Sequence, residues 1–257
     1  MTSIWLKNPL AALALGAGGG IVVRGGKIIE LLAAGRQPKL RPDSIFDASR
    51  YVVLPGLINT HHHFYQTLTR AHPQAINKEL FDWLKALYPL WARLTPEAMR
   101  LGTRLALTEL LMSGVTTTSD HHYVFPSGLD DAMDIQVDEA LKLGMRMTVT
   151  RGSMNLSVKD GGLPPDSVVQ DEDTILSDCE RVISKYHDRG DGAKIQVALA
   201  PCSPFSVTRS LMCACGELAA KHDCRLHTHL AETHDEDEFC RARLAVARWI
   251  IWKRWVG

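Results

Sequence analysis

From Pro55 onward, the sequence alternates between short apolar segments and longer amphipathic ones, and this alternation constrains the fold most strongly. The short segments have the composition of strands, whereas the longer ones repeat apolar residues at helical spacing. One helical segment has Thr95 as its predicted N-cap, Pro96 at its first position and Gly114 beyond its end. Because strands that alternate with helices form parallel sheets, we expect a parallel α/β fold. The predicted strands are GLINTHHH, VTTTSDHH, RMTVTRGSM, KIQVALAPCSPF and RLHTHLAET.

The ends of the predicted strands distinguish a barrel from an open sheet. Each strand ends in polar or ionisable side chains of the kinds found in active sites, in the segments THHH, SDHH, RGSM, APCSPF and HTHLAE. This layout is typical of the mouth of a (β/α)₈ barrel. No GxGxxG or GxxxxGK motif follows a predicted strand, so the sequence does not support a nucleotide-binding fold. For residues 54–243 we predict an α/β fold, an incomplete TIM-type (β/α)₈ barrel with about the first five βα units.

Residues 1–53 are predicted to form a small β domain, the N-terminal part of a β-sandwich. Glycine pairs separate β-branched runs in GGGIVVRGGKIIELLAAG, as expected for strands joined by turns. The apolar N-terminal stretch resembles a signal peptide, but Lys7 and Pro9 fall inside its would-be core and the apolar run is short. We therefore expect a strand here rather than an export signal.

Composition favours a small-molecule function. The 257 residues carry 29 basic and 29 acidic side chains, so there is no basic excess to neutralise nucleic acid phosphates or an anionic membrane. We expect neither nucleic acid nor membrane as a partner, and a small ligand instead. The 6 cysteines lie in the second half without the spacing of a small secreted domain, which indicates reduced thiols and a cytoplasmic location.

Two histidine pairs at strand ends predict a metal site. Because side chains alternate along a strand, His61 and His63 share one face, and His227 and His229 repeat this spacing at the fifth strand. An isolated H-x-H pair is a weak signal, but two such pairs followed by Glu232 favour a metal centre. Imidazole suits zinc, iron and other divalent ions, so the residues leave the identity of the metal open.

Three segments carry a family resemblance: PGLINTHHHFYQTLTRA, GVTTTSDHH and HTHLAETHDE. In this order and spacing they resemble the amidohydrolase superfamily, and within it the 8-oxoguanine deaminases and hydroxydechloroatrazine ethylaminohydrolases. The resemblance covers residues 1 to about 243. It implies that His61, His63 and His229 bind one divalent metal ion, Zn²⁺ in the first place with Fe²⁺ as the alternative. It also implies that Glu232 is the catalytic acid and base.

The resemblance extends to substrate-contacting positions. Gln66 and Trp83 match such positions, although a tryptophan buried in the core is an equal alternative for Trp83. His122 ends the second predicted strand together with His121, where the two could touch substrate or form only a polar rim. The family also implies a further histidine and an aspartate from later strands, which this sequence does not contain.

The implied reaction is metal-dependent hydrolytic deamination of an amino-substituted, purine-like heterocycle of the 8-oxoguanine type, with release of ammonia. An s-triazine chlorohydrolase or ethylaminohydrolase would use the same centre, and a non-enzymatic metal-binding fragment is the remaining alternative. Cytidine-deaminase chemistry needs a second cysteine that APCSPF lacks, and binuclear relatives need a lysine at the end of the fourth strand, which Lys194 instead begins. We expect a homo-oligomer for a full-length enzyme and little or no turnover by this chain.

Residues 244–257 depart from the pattern. They contain Trp249, Trp252 and Trp255 at intervals of three beside basic residues. If the residues are taken as they stand, this spacing predicts a cationic amphipathic helix. Reading the corresponding codons one base earlier permits an ordinary helix of the resembled family. We therefore predict a one-base frameshift near Arg243 and a non-native tail, which the nucleotide sequence would test.

Overall fold

The computed structural model describes residues 2–244, apart from the side chain of Leu244. These residues form two compact units. The first ends at Leu57 and includes Gly190–Gly192, and the second contains Ile58–Arg189 and the described residues from Ala193 onward. The predicted frameshifted tail lies outside the described residues except for Leu244, and it stays a prediction, as do the predicted domain boundaries.

The first unit consists of short strands and turns. Its strands are β1 (Ser3–Lys7), β2 (Ala11–Ala12), β3 (Gly20–Arg24), β4 (Lys27–Leu32), β5 (Ser44–Asp47) and β6 (Val52–Val53). The larger sheet has the order β4-β3-β1-β5, with β1 antiparallel to β3 and parallel to β5, while β2 pairs with β6. Trp5, Val22 and Leu32 form a buried cluster. Gly20 has a φ of 124° and a Cβ there would lie 2.1 Å from the Leu6 carbonyl oxygen, so only glycine fits.

The second unit is built on a five-stranded sheet with the order β11-β10-β9-β8-β7. Its strands are β7 (Leu57–Asn59), β8 (Val115–His122), β9 (Arg146–Ser153), β10 (Ile195–Pro201) and β11 (Arg225–Leu226). The pairs β8–β9, β9–β10 and β10–β11 are parallel. The predicted parallel α/β fold is therefore confirmed, and the sheet is the first part of a (β/α)₈ barrel.

Helices connect the strands of this sheet, and the last of them follows β11. They are α1 (Leu80–Trp91), α2 (Pro96–Met112), α3 (Ala132–Leu143), α4 (Glu172–Tyr186), α5 (Arg209–His222) and α6 (His234–Leu244). The predicted N-cap of α2 is confirmed, because the Thr95 hydroxyl accepts a hydrogen bond from the backbone N–H of Ala98 at 3.2 Å. Thr208 caps α5 in the same way. None of the helices in the described part of the chain is long and apolar enough to cross a membrane.

The two strands that precede the histidine pairs are shorter than the sequence predicts. β7 ends at Asn59 and β11 at Leu226, so both histidine pairs lie beyond the strands. Isolated backbone hydrogen bonds nevertheless continue the pairing: the N–H groups of His121 and His229 donate to the carbonyl oxygens of His62 and Cys202, at 2.7 and 2.9 Å. Within the described residues, each of these two strands has a neighbouring strand on one side only.

Candidate active site

Three histidine side chains converge beyond the carboxyl ends of the sheet. The Nε2 atoms of His61 and His63 are 3.2 Å apart, and the Nε2 atom of His229 lies 3.3 Å from the first and 3.2 Å from the second. The structure therefore brings together the three residues predicted as metal ligands. His62 is not part of the group, as its alternation with His61 and His63 predicts, and its ring lies against Phe64.

Backbone carbonyl groups orient two of the three rings. The Nδ1 atom of His63 lies 2.6 Å from the carbonyl oxygen of His121, and Nδ1 of His229 lies 3.0 Å from that of Cys202. A carbonyl oxygen only accepts hydrogen bonds, so both Nδ1 atoms carry the proton. In a neutral imidazole this leaves a lone pair on Nε2. These lone pairs point into the space that the three rings share.

Burial keeps the imidazoles neutral. It lowers the pKa of His63 well below its usual 6.5 and lowers the pKa of His229 to about 4. Burial of part of the His61 ring lowers its pKa as well. At neutral pH each ring therefore keeps one nitrogen without a proton, and this is the state that a metal requires.

The dimensions of the cluster fit a tetrahedral metal ion. Zinc–nitrogen distances of about 2.0–2.1 Å place the ligand nitrogens of a tetrahedral site about 3.3–3.4 Å apart. The observed separations of 3.2–3.3 Å match this value. A hydrogen bond does not explain the 3.2 Å between the Nε2 atoms of His63 and His229, because both residues carry their proton on Nδ1. His61, His63 and His229 therefore form one group of side chains whose geometry a metal ion would fit.

Glu232 lies in a turn that a second glutamate stabilises. The buried Glu236 carboxylate accepts hydrogen bonds from the backbone N–H groups of Ala231 and Glu232, at 3.0 and 2.6 Å. These bonds hold Ala231 in the left-handed region at a φ of 64°. Partial burial and the negative charge of Glu236 raise the pKa of Glu232. The turn directs Glu232 into the cavity described next.

A cavity of about 420 Å³ adjoins the histidine cluster. It has a mostly aromatic and apolar wall, with Glu232, Gln66 and Lys78 as polar groups apart from the histidines. Such a shape suits a planar, partly polar small molecule. The lining residues are His61, His63, Gln66, Lys78, Leu80, Trp83, Leu84, Tyr88, Tyr123, Cys202, Phe205, His229 and Glu232.

Two of the three predicted substrate contacts lie in this cavity. Gln66 lines it, and its amide lies 3.4 Å from the hydroxyl groups of Tyr65 and Tyr123. Trp83 also lines it and is half-buried, with its ring 5.3 Å from that of Trp91. The Trp83 indole thus packs on the core beside Trp91 and also lines the cavity, and its contact with substrate stays a prediction.

His122 does not line the cavity, which corrects its predicted position at the mouth. Its side chain is fully buried and packs against Tyr65 and Phe125, with ring centroids 5.2 and 4.8 Å away. Because side chains alternate along β8, His121 faces the histidine cluster and His122 faces the opposite side. His121 is also fully buried, and its ring stacks on that of His229 at 4.3 Å.

Aromatic residues of the cavity were missed by the sequence analysis. Tyr123 follows the SDHH segment and Phe205 ends APCSPF. Alternation along β8 would have found Tyr123, because it lies two residues beyond His121. Glu236 was also missed, since its burial and its bonds to the turn leave no signal in the sequence.

Comparison with known proteins identifies the family of the chain. The Amidohydrolase family profile matches residues 52–246, and the chain belongs to this family of hydrolases. It is 61% identical over 249 residues to the 8-oxoguanine deaminase of Pseudomonas aeruginosa, a match that covers 96% of this chain and 56% of that protein. It is 36% identical over 181 residues to the hydroxydechloroatrazine ethylaminohydrolase of a Pseudomonas strain, covering 69% of this chain and 38% of that protein.

A solved structure shows the same fold. The zinc complex of atrazine chlorohydrolase from Arthrobacter aurescens superposes with a TM-score of 0.88 at 27% identity. The superposition covers 100% of this chain and 58% of the chlorohydrolase. The chain therefore spans little more than half the length of the relatives it matches well.

Proposed function

We propose that this chain carries the metal-binding and substrate-facing part of a hydrolase that deaminates an amino-substituted, purine-like heterocycle of the 8-oxoguanine type. The observation that carries the proposal is the convergence of three Nε2 atoms beside an aromatic cavity that contains a carboxylate. The identity of 61% to an 8-oxoguanine deaminase supports this substrate class. We propose Zn²⁺ as the metal, supported by the spacing of the nitrogens and by the zinc complex of a structural relative.

The residues divide the chemistry between them. His61, His63 and His229 would hold a divalent metal, which would serve as a Lewis acid and lower the pKa of bound water from 15.7 to about 7. Glu232 accepts one proton from the attacking water and donates it to a ring nitrogen of the heterocycle. The water oxygen adds to the carbon that bears the amino group, the carbon–nitrogen bond breaks, and the amino group leaves as ammonia with the second water proton.

The cavity wall positions the heterocycle. The aromatic side chains of Trp83, Tyr123 and Phe205 offer flat apolar surface to a planar ring. The Gln66 amide supplies a donor and an acceptor that can pair with the ring edge. We propose these residues as substrate contacts, together with Glu232. The buried His122 is not among them because it does not line the cavity.

An s-triazine hydrolase is the second candidate. The 36% identity to an ethylaminohydrolase and the fold of a chlorohydrolase favour it. Both reactions would use the same histidine cluster and the same carboxylate. The remaining parts of the proposal are a cytoplasmic location and a homo-oligomeric full-length enzyme.

Equilibrium binding tests the site without depending on turnover. We expect Zn²⁺ to bind the chain in a chelator competition assay. His63→Ala should weaken binding by more than the about 10–100-fold that loss of an outer hydrogen-bond partner causes. His72→Ala is the matched control, because Nδ1 of His72 accepts only from the backbone N–H of Gln74 at 3.3 Å and the ring lies outside the cluster. Equal zinc affinity of the wild type and His63→Ala would refute the proposed metal site.

Ligand binding then separates the candidates. Quenching of Trp83 fluorescence should show tighter binding of 8-oxoguanine than of a hydroxylated s-triazine, with Trp83→Phe as the control for the signal. Release of ammonia, ethylamine and chloride is measured in parallel. Preferred binding of the triazine, or release of ethylamine or chloride, would favour the second candidate. Zinc binding without binding of either heterocycle would indicate a non-enzymatic metal-binding fragment.

A further inference from the structure

The three candidate ligands differ in what their second ring nitrogen contacts. For His63 and His229 the Nδ1 atom faces a backbone carbonyl oxygen. For His61 the Nδ1 atom instead lies 3.0 Å from Nε2 of His227, another imidazole. A carbonyl group has one possible role, but an imidazole nitrogen can donate or accept, so only His61 has a partner that must itself adopt the correct protonation.

The direction of this hydrogen bond follows from the cluster. If Nε2 of His61 offers its lone pair beside the Nε2 atoms of His63 and His229, its proton must reside on Nδ1. Nδ1 of His61 is then the donor, and Nε2 of His227 is the acceptor. His227 accordingly carries its own proton on Nδ1. The reverse arrangement would put a proton on Nε2 of His61, inside the cluster, where no lone pair could bind a metal.

The position of His227 is defined by the sheet. Its backbone N–H donates to the Leu199 carbonyl oxygen of β10 at 2.9 Å, so the residue is tied to a central strand beyond the short β11. Its half-buried ring lies 5.1 Å from that of His61 and 4.9 Å from that of His121. His61 is the exposed member of the cluster, with fewer surrounding atoms to fix its ring than the other two.

We propose that His227 is a positioning residue that accepts the Nδ1 proton of His61 and thereby holds His61 in its metal-binding tautomer. The inference rests on one part of the proposed function, namely that the cluster of His61, His63 and His229 binds a metal. The two H-x-H pairs then differ in role. In the first pair both members are ligands, whereas in the second pair His229 is a ligand and His227 acts through His61.

A pair of substitutions at residue 227 tests the inference through metal affinity. His227→Leu removes the acceptor, whereas His227→Gln keeps an oxygen that can accept the His61 proton but is a poor zinc ligand. We expect His227→Leu to weaken Zn²⁺ binding about 10–100-fold, as for other outer partners of metal-binding histidines, and His227→Gln to restore affinity to within about 3-fold of wild type. Wild-type affinity in the leucine variant, or equal losses in both variants, would overturn the inference.

A second measurement does not depend on either variant folding. The ¹⁵N chemical shifts of labelled histidine in the wild-type chain distinguish the two neutral tautomers, and we expect His61 to carry its proton on Nδ1. A proton on Nε2 of His61 would overturn the inference. Its failure is distinguishable from failure of the proposed function. In the first case His63→Ala abolishes zinc binding and His227→Leu does not affect it, and in the second the wild-type chain does not bind zinc.

Discussion

Glu139 offers a quantitative test of the packing between α2 and α3. Its carboxylate accepts hydrogen bonds from Nη1 of Arg100 at 2.6 Å and from Nε of Arg104 at 2.7 Å. The side chain of Glu139 is only 1% exposed, whereas those of its two partners are 37% and 50% exposed. The hydrogen bonds from Arg104 and Arg100 outweigh burial and lower the pKa of Glu139 from 4.5 to about 2.

The magnitude of the effect follows from this pKa. A fall from 4.5 to about 2 corresponds to at most about 3.4 kcal/mol at 1.36 kcal/mol per pKa unit. The arginines are partly exposed and water screens them, so we take roughly half of this value, about 2 kcal/mol. Glu139→Gln keeps the shape of the side chain and removes its charge. For a chain of this size the midpoint of thermal unfolding should fall by about 4–8 °C.

Far-ultraviolet circular dichroism at pH 7 measures this change, because the described helices all belong to the second unit. Asp138→Asn is the matched control, since the exposed Asp138 pairs with the same Arg100 at 2.6 Å. Its effect should be less than half that of Glu139→Gln. The contribution of Glu139 is complete above pH 4.5 and is lost as the pH falls through about 2, so the two proteins should converge in strong acid. A loss in Glu139→Gln no larger than in Asp138→Asn would refute the reasoning.

Three further predictions follow from individual contacts. His122→Phe should not lower the melting temperature, because within the described residues neither buried ring nitrogen of His122 makes a hydrogen bond of standard geometry. It should also leave heterocycle affinity unchanged, and a clear loss of affinity would restore His122 as a substrate contact. Thr95→Ala should cost about 1 kcal/mol, or about 2–4 °C in thermal unfolding, because the N-cap of α2 is lost; an unchanged melting temperature would contradict this. The Glu232 carboxyl group should titrate above pH 4.5 by NMR, and Glu236→Gln should lower its pKa by removing a neighbouring negative charge, whereas a pKa at or below 4.5 in the wild type would be inconsistent with the site.

Much of the fold was predictable because local signals and topology agree. The alternation of strand and helix segments predicted a parallel sheet, and the Thr95–Pro96 pair predicted the start of α2. The period of two along extended chain placed His61 and His63 on one side even though β7 ends before them. Alternation survives beyond the strands because single backbone hydrogen bonds continue the extended pairing.

The features that the sequence did not reveal depend on how side chains pack in the folded chain. Whether the His122 side chain is buried depends on what packs against its side of β8. Tyr65 and Phe125 pack there, and the sequence of the strand does not reveal this. The buried carboxylate of Glu236 looks like an ordinary acidic residue at the start of a helix. The protonation of His61 depends on residue 227, which is 166 positions away in the sequence.

The histidine cluster also has a mechanical consequence. His61 and His63 follow β7, and His229 follows β11, which are the two outermost strands of the five-stranded sheet. In a flat sheet these strands would be about 19 Å apart, at about 4.8 Å per neighbouring pair, yet the Nε2 atoms of His61 and His229 are 3.3 Å apart. An ion bound to these histidines would cross-link the two edges of the sheet. Ion binding and sheet curvature are then thermodynamically coupled. A substitution in β8, β9 or β10 that flattens the sheet should weaken ion binding even though the substituted residue does not contact the ion.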